Sequence, residues 1–330
     1  MRRIALRLLA LLAVACAVAL AVLWLVPSNQ YLLLPDTARP VAPLVHIAGE
    51  RPDSAGGGIY MVDVSIRRAS LLERFFPGID KGSTLVPASA LGPPGQTDAQ
   101  RQQQGLAEMS DSQKIAAAVA LRSLGRKVRA TPTGAEVVLA FPHMPAAGRL
   151  EPGDVIVAAR GHPVRSPDDL RAVMRGQVPG KPVAVTVARS GRRLTLTLPT
   201  VPDANDPKRA VVGVEVQQGA SITLPVKIRI ETGDIGGPSA GLAFALDIVD
   251  ELDRDLDNGD RIAATGELDL AGRVLEIGGI KQKTIGAEEA GASIFLVPKA
   301  NAAEARRYAK NIRVVAVSTF RQALSTLASR

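Results

Sequence analysis

Glu231-Thr-Gly-Asp-Ile-Gly-Gly-Pro-Ser-Ala-Gly-Leu-Ala-Phe-Ala-Leu-Asp247 is the stretch on which the reading of this chain turns. Val226 to Ile230, just before it, alternates apolar and charged residues, as a half-buried strand does. Gly233, Gly236 and Gly237 then remove side-chain bulk, and Pro238 fixes its own φ. From there Leu242, Ala245, Leu246, Val249 and Leu252 recur at three- and four-residue spacing, the stripe of an amphipathic helix. Ser239 therefore stands where a stiffened loop enters a helix. Backbone N–H groups at such an end are unpaired and partly positive, a setting that can hold a nucleophile beside a developing oxyanion. Taken alone, Ser239 reads as a helix N-cap, since serine is favoured there. The choice rests on the rest of the chain.

The composition narrows the classes open to it. At 330 residues the chain has room for two or three modest domains. Aromatic residues make up only 3%, so the core must rest on Val, Leu, Ile and Ala. The net charge is +8, but no basic run is interleaved with aromatics. The charge speaks for solubility and attraction to anionic lipid, and against nucleic-acid binding. Cys16 is the only cysteine. It lies in an apolar run, so no internal disulfide, cysteine nucleophile or cysteine-based metal site follows.

That run extends from Leu8 to Val26 behind Arg2, Arg3 and Arg7, close to the roughly 20 residues that cross a bilayer. The positive flank places the N-terminus in the cytoplasm and the remainder outside it, as a single-pass protein of the cell membrane. A cleaved signal peptide is the alternative, although no small-x-small cleavage site directly follows Val26. Residues 1–27 thus read as cytoplasmic tip and transmembrane helix, and the Pro- and Gly-rich residues 28–58 as a stalk or linker.

Beyond the stalk, Ile59–Ile66 reads as a strand, Leu71 to Phe76 as a short helix and Lys81 to Gln104 as a loop. A helix is expected from Met109, capped by Ser110 and Asp111 and stopped by Gly125. Residues 128–200 differ in texture, with short strands and a helix opened by Ser166-Pro-Asp-Asp. Ala146-Ala-Gly-Arg-Leu-Glu-Pro-Gly-Asp-Val-Ile156 and Gly161-His-Pro-Val164 give this segment its character, and on them it resembles a PDZ domain. The resemblance implies uptake of an extended peptide, with backbone amides near Gly134 and Ala135 holding its carboxylate. The alternative is a packing module without a peptide ligand.

Three more stretches carry chemistry. Arg261-Ile-Ala-Ala-Thr-Gly-Glu267 is a strand running into a turn. Arg273-Val-Leu-Glu-Ile-Gly-Gly279 is a strand ending in glycines, and Ile280-Lys-Gln-Lys283 opens a helix. A lysine in a first helical turn meets the positive helix end, and burial lowers its pKa further, so it can accept a serine proton. His46, His143 and His162, the only histidines, stand in no context that pairs them with Ser239. Gly237-Pro-Ser-Ala-Gly241, Thr265-Gly-Glu267 and Gly278-Gly-Ile-Lys-Gln-Lys283 occur in the order and spacing of the Lon-type serine protease domain, which residues 208–330 resemble. The resemblance assigns the nucleophile to Ser239, the base to Lys283 rather than Lys281, and its hydrogen-bonding partner to Thr265. Gly237, Pro238 and Glu267 support the site.

The whole chain resembles bacterial membrane-anchored proteases that combine PDZ and Lon-type domains. This implies an α+β fold in which residues 59–127 supply early protease elements, Ile59–Ile66 and a Met-x-x-Ser helix at Met109, with the PDZ module inserted in or preceding the protease domain. Gly236 departs from the pattern, because many Lon proteases carry an acidic residue there. No Gly-x-x-x-x-Gly-Lys-Ser/Thr sequence occurs, so an ATP-independent endopeptidase needing no cofactor or metal is expected. Its partners would be protein or peptide substrates, membrane proteins and flexible tails among them, and by resemblance further copies of itself. The rival readings are a non-catalytic PDZ scaffold and a different Ser/Lys hydrolase.

Overall fold

The computed structural model describes residues 2–49, 57–76, 78–92, 96–189, 191–203, 206–253 and 255–329. The helices longer than one turn among them are α1 (Arg2–Leu25), α2 (Leu71–Phe75), α3 (Asp98–Ser123), α4 (Pro167–Arg175), α5 (Gly241–Asp253), α6 (Ile280–Glu289), α7 (Ala302–Tyr308) and α8 (Phe320–Ala328).

The main core is built on a five-stranded sheet in the order Arg39–Pro40, Gly58–Met61, Arg261–Ala264, Ile294–Pro298, Arg313–Val317. Its last four strands run parallel. Parallel strands are covered on both faces and so read as unbroken apolar runs; Ile294–Pro298 is buried at every residue. On one face lie α3, α5 and α8, with Phe244, Leu246 and Ile248 of α5 in the same cluster as Ile262 and Leu296. On the other, Ile280 and Ala287 of α6 and Ala302 and Ala305 of α7 share a cluster with Phe295 and Val297. Small residues do much of this packing: Ala116, Ala117 and Ala120 of α3 cluster with Ala243 and Ala245 of α5.

A second core lies in the middle of the chain. Its sheet runs Arg192–Leu198, Val183–Arg189, Val155–Ala159, Arg129–Ala140, Val214–Thr223, and Val137, Ile156, Leu170, Val185 and Val187 fill it. The Pro-Gly-Asp turn has a visible purpose. Asp154, 1% exposed, accepts from Arg189 Nε and Nη2, both at 2.7 Å, and from the Glu151 amide at 2.9 Å. The unit is an insertion. Its first and last strands, Arg129–Ala140 and Val214–Thr223, are paired antiparallel along their length, and the chain on either side belongs to the main core. There Gly58–Met61 pairs with Arg261–Ala264, and Val45–Ile47 with Ile228–Ile230.

Three expectations are corrected. Residues 28–58 are no stalk over their described part. Pro27–Pro35 is the middle strand of a sheet with Val64–Ser70 and Thr84–Pro87, Leu32 and Val41 are buried, and Val45–Ile47 is a strand. The prolines end short strands here instead of marking a linker; residues 50–56 lie outside the described part. The helix expected from Met109 begins at Asp98, where Thr97 and Gln100 form a reciprocal capping box. Its glutamine-rich first turns show no apolar stripe, which is why they read as loop. Likewise the second unit's sheet runs on past residue 200 to Thr223.

The chain near Asp36 crosses α6 closely enough that a Cβ on Gly286 would lie 1.9 Å from the Asp36 carbonyl oxygen, while the Ala38 amide donates to Gly286 O at 3.2 Å. Gly286→Ala should destabilise the fold by about 2 kcal/mol or more, read as a lowered midpoint in urea denaturation.

Candidate active site

Ser239 sits in a 3₁₀ turn, Pro238–Ala240, that leads directly into α5. Gly237 enters it at φ 91°, a left-handed conformation costly for other residues. Helix α3 clamps the loop from behind. Gly237 N–H donates to Gly105 O at 2.7 Å, Ser112 Oγ to Pro238 O at 2.8 Å, and Gln102 Nε2 to Asp234 O at 2.7 Å. The contact also accounts for Gly236: a Cβ there would lie 2.9 Å from the Gly105 carbonyl carbon, so an acidic side chain does not fit. The Gly237 amide is committed to Gly105 and not to the space in front of Ser239.

Lys283 reaches the same point from the opposite side. α6 starts at Gly279 in a left-handed conformation, and Lys283, 4% exposed, lies in its first turns. Lys283 Nζ lies 2.5 Å from Ser239 Oγ and 3.3 Å from Thr265 Oγ1. Thr265, fully buried, passes its own hydroxyl proton to Ser239 O at 3.1 Å, and Gly266 N–H donates to the same carbonyl at 2.8 Å. Thus Thr265 orients the amine and fixes the serine backbone together. Burial pushes the Lys283 ammonium down to about 8 from its ordinary 10.5. Lys281 does not join them. Its Nζ donates to Ser83 O at 2.7 Å and lies over the Tyr308 ring.

Three other expected residues lie elsewhere. Glu267 has no hydrogen bond to the Ser239–Lys283 pair. It lines, with Pro238, Glu108, Asp111 and Glu215, a cavity of about 260 Å³ between α3 and the Val214–Thr223 strand. Burial first, then the neighbouring Glu108 and Asp269, raise its carboxyl above the ordinary range. Gly134 and Ala135 are not a peptide-binding loop. They lie inside the strand Arg129–Ala140, paired with Gly219 and Gln218 on one side, while Ala135 pairs with Ile156 on the other and is fully buried.

Asp63, which the sequence did not single out, completes the electrostatics. It follows the strand Gly58–Met61, and its charge favours the ammonium form of Lys283, opposing the effect of burial. Its Oδ1 is buried without a hydrogen-bond partner among the described residues, and Arg39 is 3.7 Å from Oδ2. The expected single strand Ile59–Ile66 is in fact two, Gly58–Met61 and Val64–Ser70 in different sheets, with Val62 and Asp63 between them, and nothing in the sequence there ties that break to a lysine in the last third of the chain.

Comparison with known proteins places this geometry. The family described as the Lon protease (S16) C-terminal proteolytic domain matches residues 214–327. Residues 214–327 are a Lon-type proteolytic domain. A PDZ domain matches residues 122–200. Lon protease 1 of Myxococcus xanthus is 44% identical over 85 residues, 24% of this chain and 10% of that protein. The Lon protease of Campylobacter concisus is 37% identical over 117 residues, 36% of this chain and 14% of that protein. The chain therefore spans only a small part of the length of these relatives. The PDZ domain of an SdrC-like protein from Listeria innocua is 19% identical, covering 25% of this chain and 92% of that structure, with a TM-score of 0.24. The strand Val214–Thr223 falls inside the Lon match yet pairs into the sheet of the PDZ segment, so the two matched regions are joined through a shared sheet.

Any reaction of Ser239 that needs the neutral amine should speed up as pH rises through about 8 and then level off. Asp63→Asn removes the charge that favours the ammonium, so the midpoint should move to lower pH. Acylation of Ser239 by a fluorophosphonate followed against pH checks this: at pH 7 the rate should rise about two- to threefold, and a midpoint displaced upward would overturn the role given to Asp63.

Proposed function

We propose that the chain is a membrane-anchored serine endopeptidase that cleaves protein or peptide chains without ATP. The observation that carries the reading is the buried Lys283 amine 2.5 Å from the Ser239 hydroxyl. Ser239 Oγ attacks the peptide carbonyl carbon while its proton passes to Lys283 Nζ. The oxyanion forms beside the positive end of α5, where the Ser239 amide is the nearest donor. Collapse expels the amine, which takes the proton from Lys283. In the second half Lys283 accepts a proton from water, the hydroxide attacks the ester, and Ser239 recovers its proton as the acyl group leaves. Each half passes through an ammonium at position 283. The Thr265 hydroxyl oxygen accepts from it, and the nearby Asp63 charge stabilises it.

Substrate choice falls to the PDZ unit. Val214–Thr223 is the end strand of its sheet, and α4 lies against it. An extended peptide can add to that edge, with main-chain hydrogen bonds for affinity. Because the same strand borders the protease domain, a peptide held there lies close to the serine loop. Arg7–Leu25 is long and apolar enough to cross a membrane, and in this reading it does so with the catalytic domain outside the cytoplasm. No nucleotide-binding sequence feeds the site, so flexible tails and unfolded segments are its substrates.

Fluorophosphonate labelling and cleavage of unfolded casein test the proposal. Ser239→Ala and Lys283→Ala should each lose at least about a thousandfold of the activity, Lys281→Ala should keep nearly all of it, and ATP with magnesium should leave the rate unchanged. An active Lys283→Ala, or a dead Lys281→Ala beside it, would sink the assignment.

A further inference from the structure

Helix α2 is built inside out. In a helix on the surface of a water-soluble domain the apolar residues turn to the core. Here Glu73 is the buried residue, 2% exposed, while Phe75 and the following Phe76 are 63% and 59% exposed. The inversion is well supported. Glu73 accepts from the Ser70 amide at 2.7 Å and from Arg67 Nη2 at 2.6 Å, and this pairing holds its carboxyl down at about 2. Ser70 in turn caps the helix. A built-in salt bridge thus fixes a short helix so that two phenylalanines face outward. Ile79, 45% exposed, and Ile66, 52% exposed, extend the apolar surface on the neighbouring segments. These are large side chains in a chain that has only six phenylalanines, so their exposure calls for an occupant.

The position of the patch names the occupant. α1 ends at Leu25, and the first strand of the folded body begins at Pro27. Leu71 N–H at the start of α2 donates to Val26 O at 2.9 Å, and α1 and α2 are in contact. No spacer among the described residues lets the body drift from the end of the apolar helix. Trp24, the only tryptophan, is 51% exposed one residue before that end. Aromatic rings gather where acyl chains give way to headgroups. Beside the patch, Arg74 and Lys81 are exposed and form no ion pair among the described residues, a disposition that suits anionic lipid.

We propose that Phe75, Phe76 and Ile79 insert into the boundary between headgroups and acyl chains of the bilayer that α1 crosses, with Arg74 and Lys81 meeting anionic headgroups, so that the folded body is seated on the membrane by two attachments. The inference rests on the reading of α1 as a transmembrane helix. It adds a monotopic contact to that span. It also has a mechanical corollary. The segment that follows the patch is tied to α6, since Lys281 donates to Ser83 O and Gln282 Nε2 to Gly82 O at 3.1 Å. The catalytic lysine's own helix is therefore braced against the part of the body that lies on lipid.

Site-directed spin labelling of the full chain tests both parts separately. With Cys16→Ser removing the native thiol, single labels are placed at Val14→Cys in α1, at Phe76→Cys and Ile79→Cys in the patch, and at Ser325→Cys on the exposed face of α8. The protein is reconstituted in bilayers of phosphatidylcholine and phosphatidylglycerol. Oxygen, which concentrates in lipid, and a water-soluble nickel chelate then report the surroundings of each label. The Val14 and both patch labels should favour oxygen, the patch labels by at least about threefold over the Ser325 label, and the Phe76 and Ile79 preference should fall when phosphatidylglycerol is omitted. If the Val14 label lies in lipid and both patch labels are as open to nickel as Ser325, the seating is overturned while the anchor stands. If the Val14 label is itself aqueous, both fall. Patch labels shielded from oxygen and nickel alike, with spin–spin broadening between molecules, would assign the surface to a second copy instead and overturn the proposal.

Discussion

Removing an amine from water costs most when the amine is charged, so the enclosure of Lys283 acts on both its position and its proton. Burial lowers the pKa to about 8 and so makes a neutral amine available near neutral pH. The same walls hold that amine against Ser239. The cost is limited from two sides. Thr265 offers a hydroxyl oxygen to the nitrogen, and the Asp63 charge keeps the ammonium from becoming prohibitive. Without the first partner the amine would rotate freely. Without the second, the ammonium form of Lys283 would be harder to reach.

Holding this pair together draws on distant parts of the chain. Strand Gly58–Met61 delivers Asp63, α3 clamps the serine loop through Gly105 and Ser112, Arg261–Ala264 runs into Thr265, and α6 carries the lysine. A PDZ domain interrupts the chain between α3 and the serine loop, yet the interruption leaves the clamp intact. The reason is geometric. The inserted unit departs and returns on adjacent antiparallel strands, Arg129–Ala140 and Val214–Thr223, so its two ends lie side by side where a short connection would otherwise run.

Much of the site was legible in the sequence, because its chemistry sits in short contiguous runs. Gly-Pro-Ser, Thr-Gly-Glu and Gly-Gly-Ile-Lys-Gln-Lys each specify a turn and a side chain locally, and the structure brings Ser239, Lys283 and Thr265 within hydrogen-bonding reach. What could not be read depends on contact between distant segments. Asp63 is an ordinary residue between two strands until α6 is laid beside it. Gly236 looks like a departure until Gly105 is seen to fill the space. The expected stalk failed for a different reason: prolines bound short strands as readily as they stiffen linkers, and only the pairing of Pro27–Pro35 with Val64–Ser70 and Thr84–Pro87 separates the two. In the PDZ segment the Pro-Gly-Asp turn was readable as a contiguous run, whereas the end strand of the sheet was not, since Val214–Thr223 lies past the expected boundary.

The direct passage from α1 into the first strand sets a limit on reach. A protease on a long tether samples a hemisphere of solution, but one joined at Pro27 with no slack, on the proposed reading of α1 as a membrane span, can only swivel about that helix. On that reading its site stays at a fixed height above the lipid. Under that constraint the stretch of a client that can be cut is chosen by how far it stands from the bilayer as much as by its side chains, and the enzyme works as a gauge of altitude.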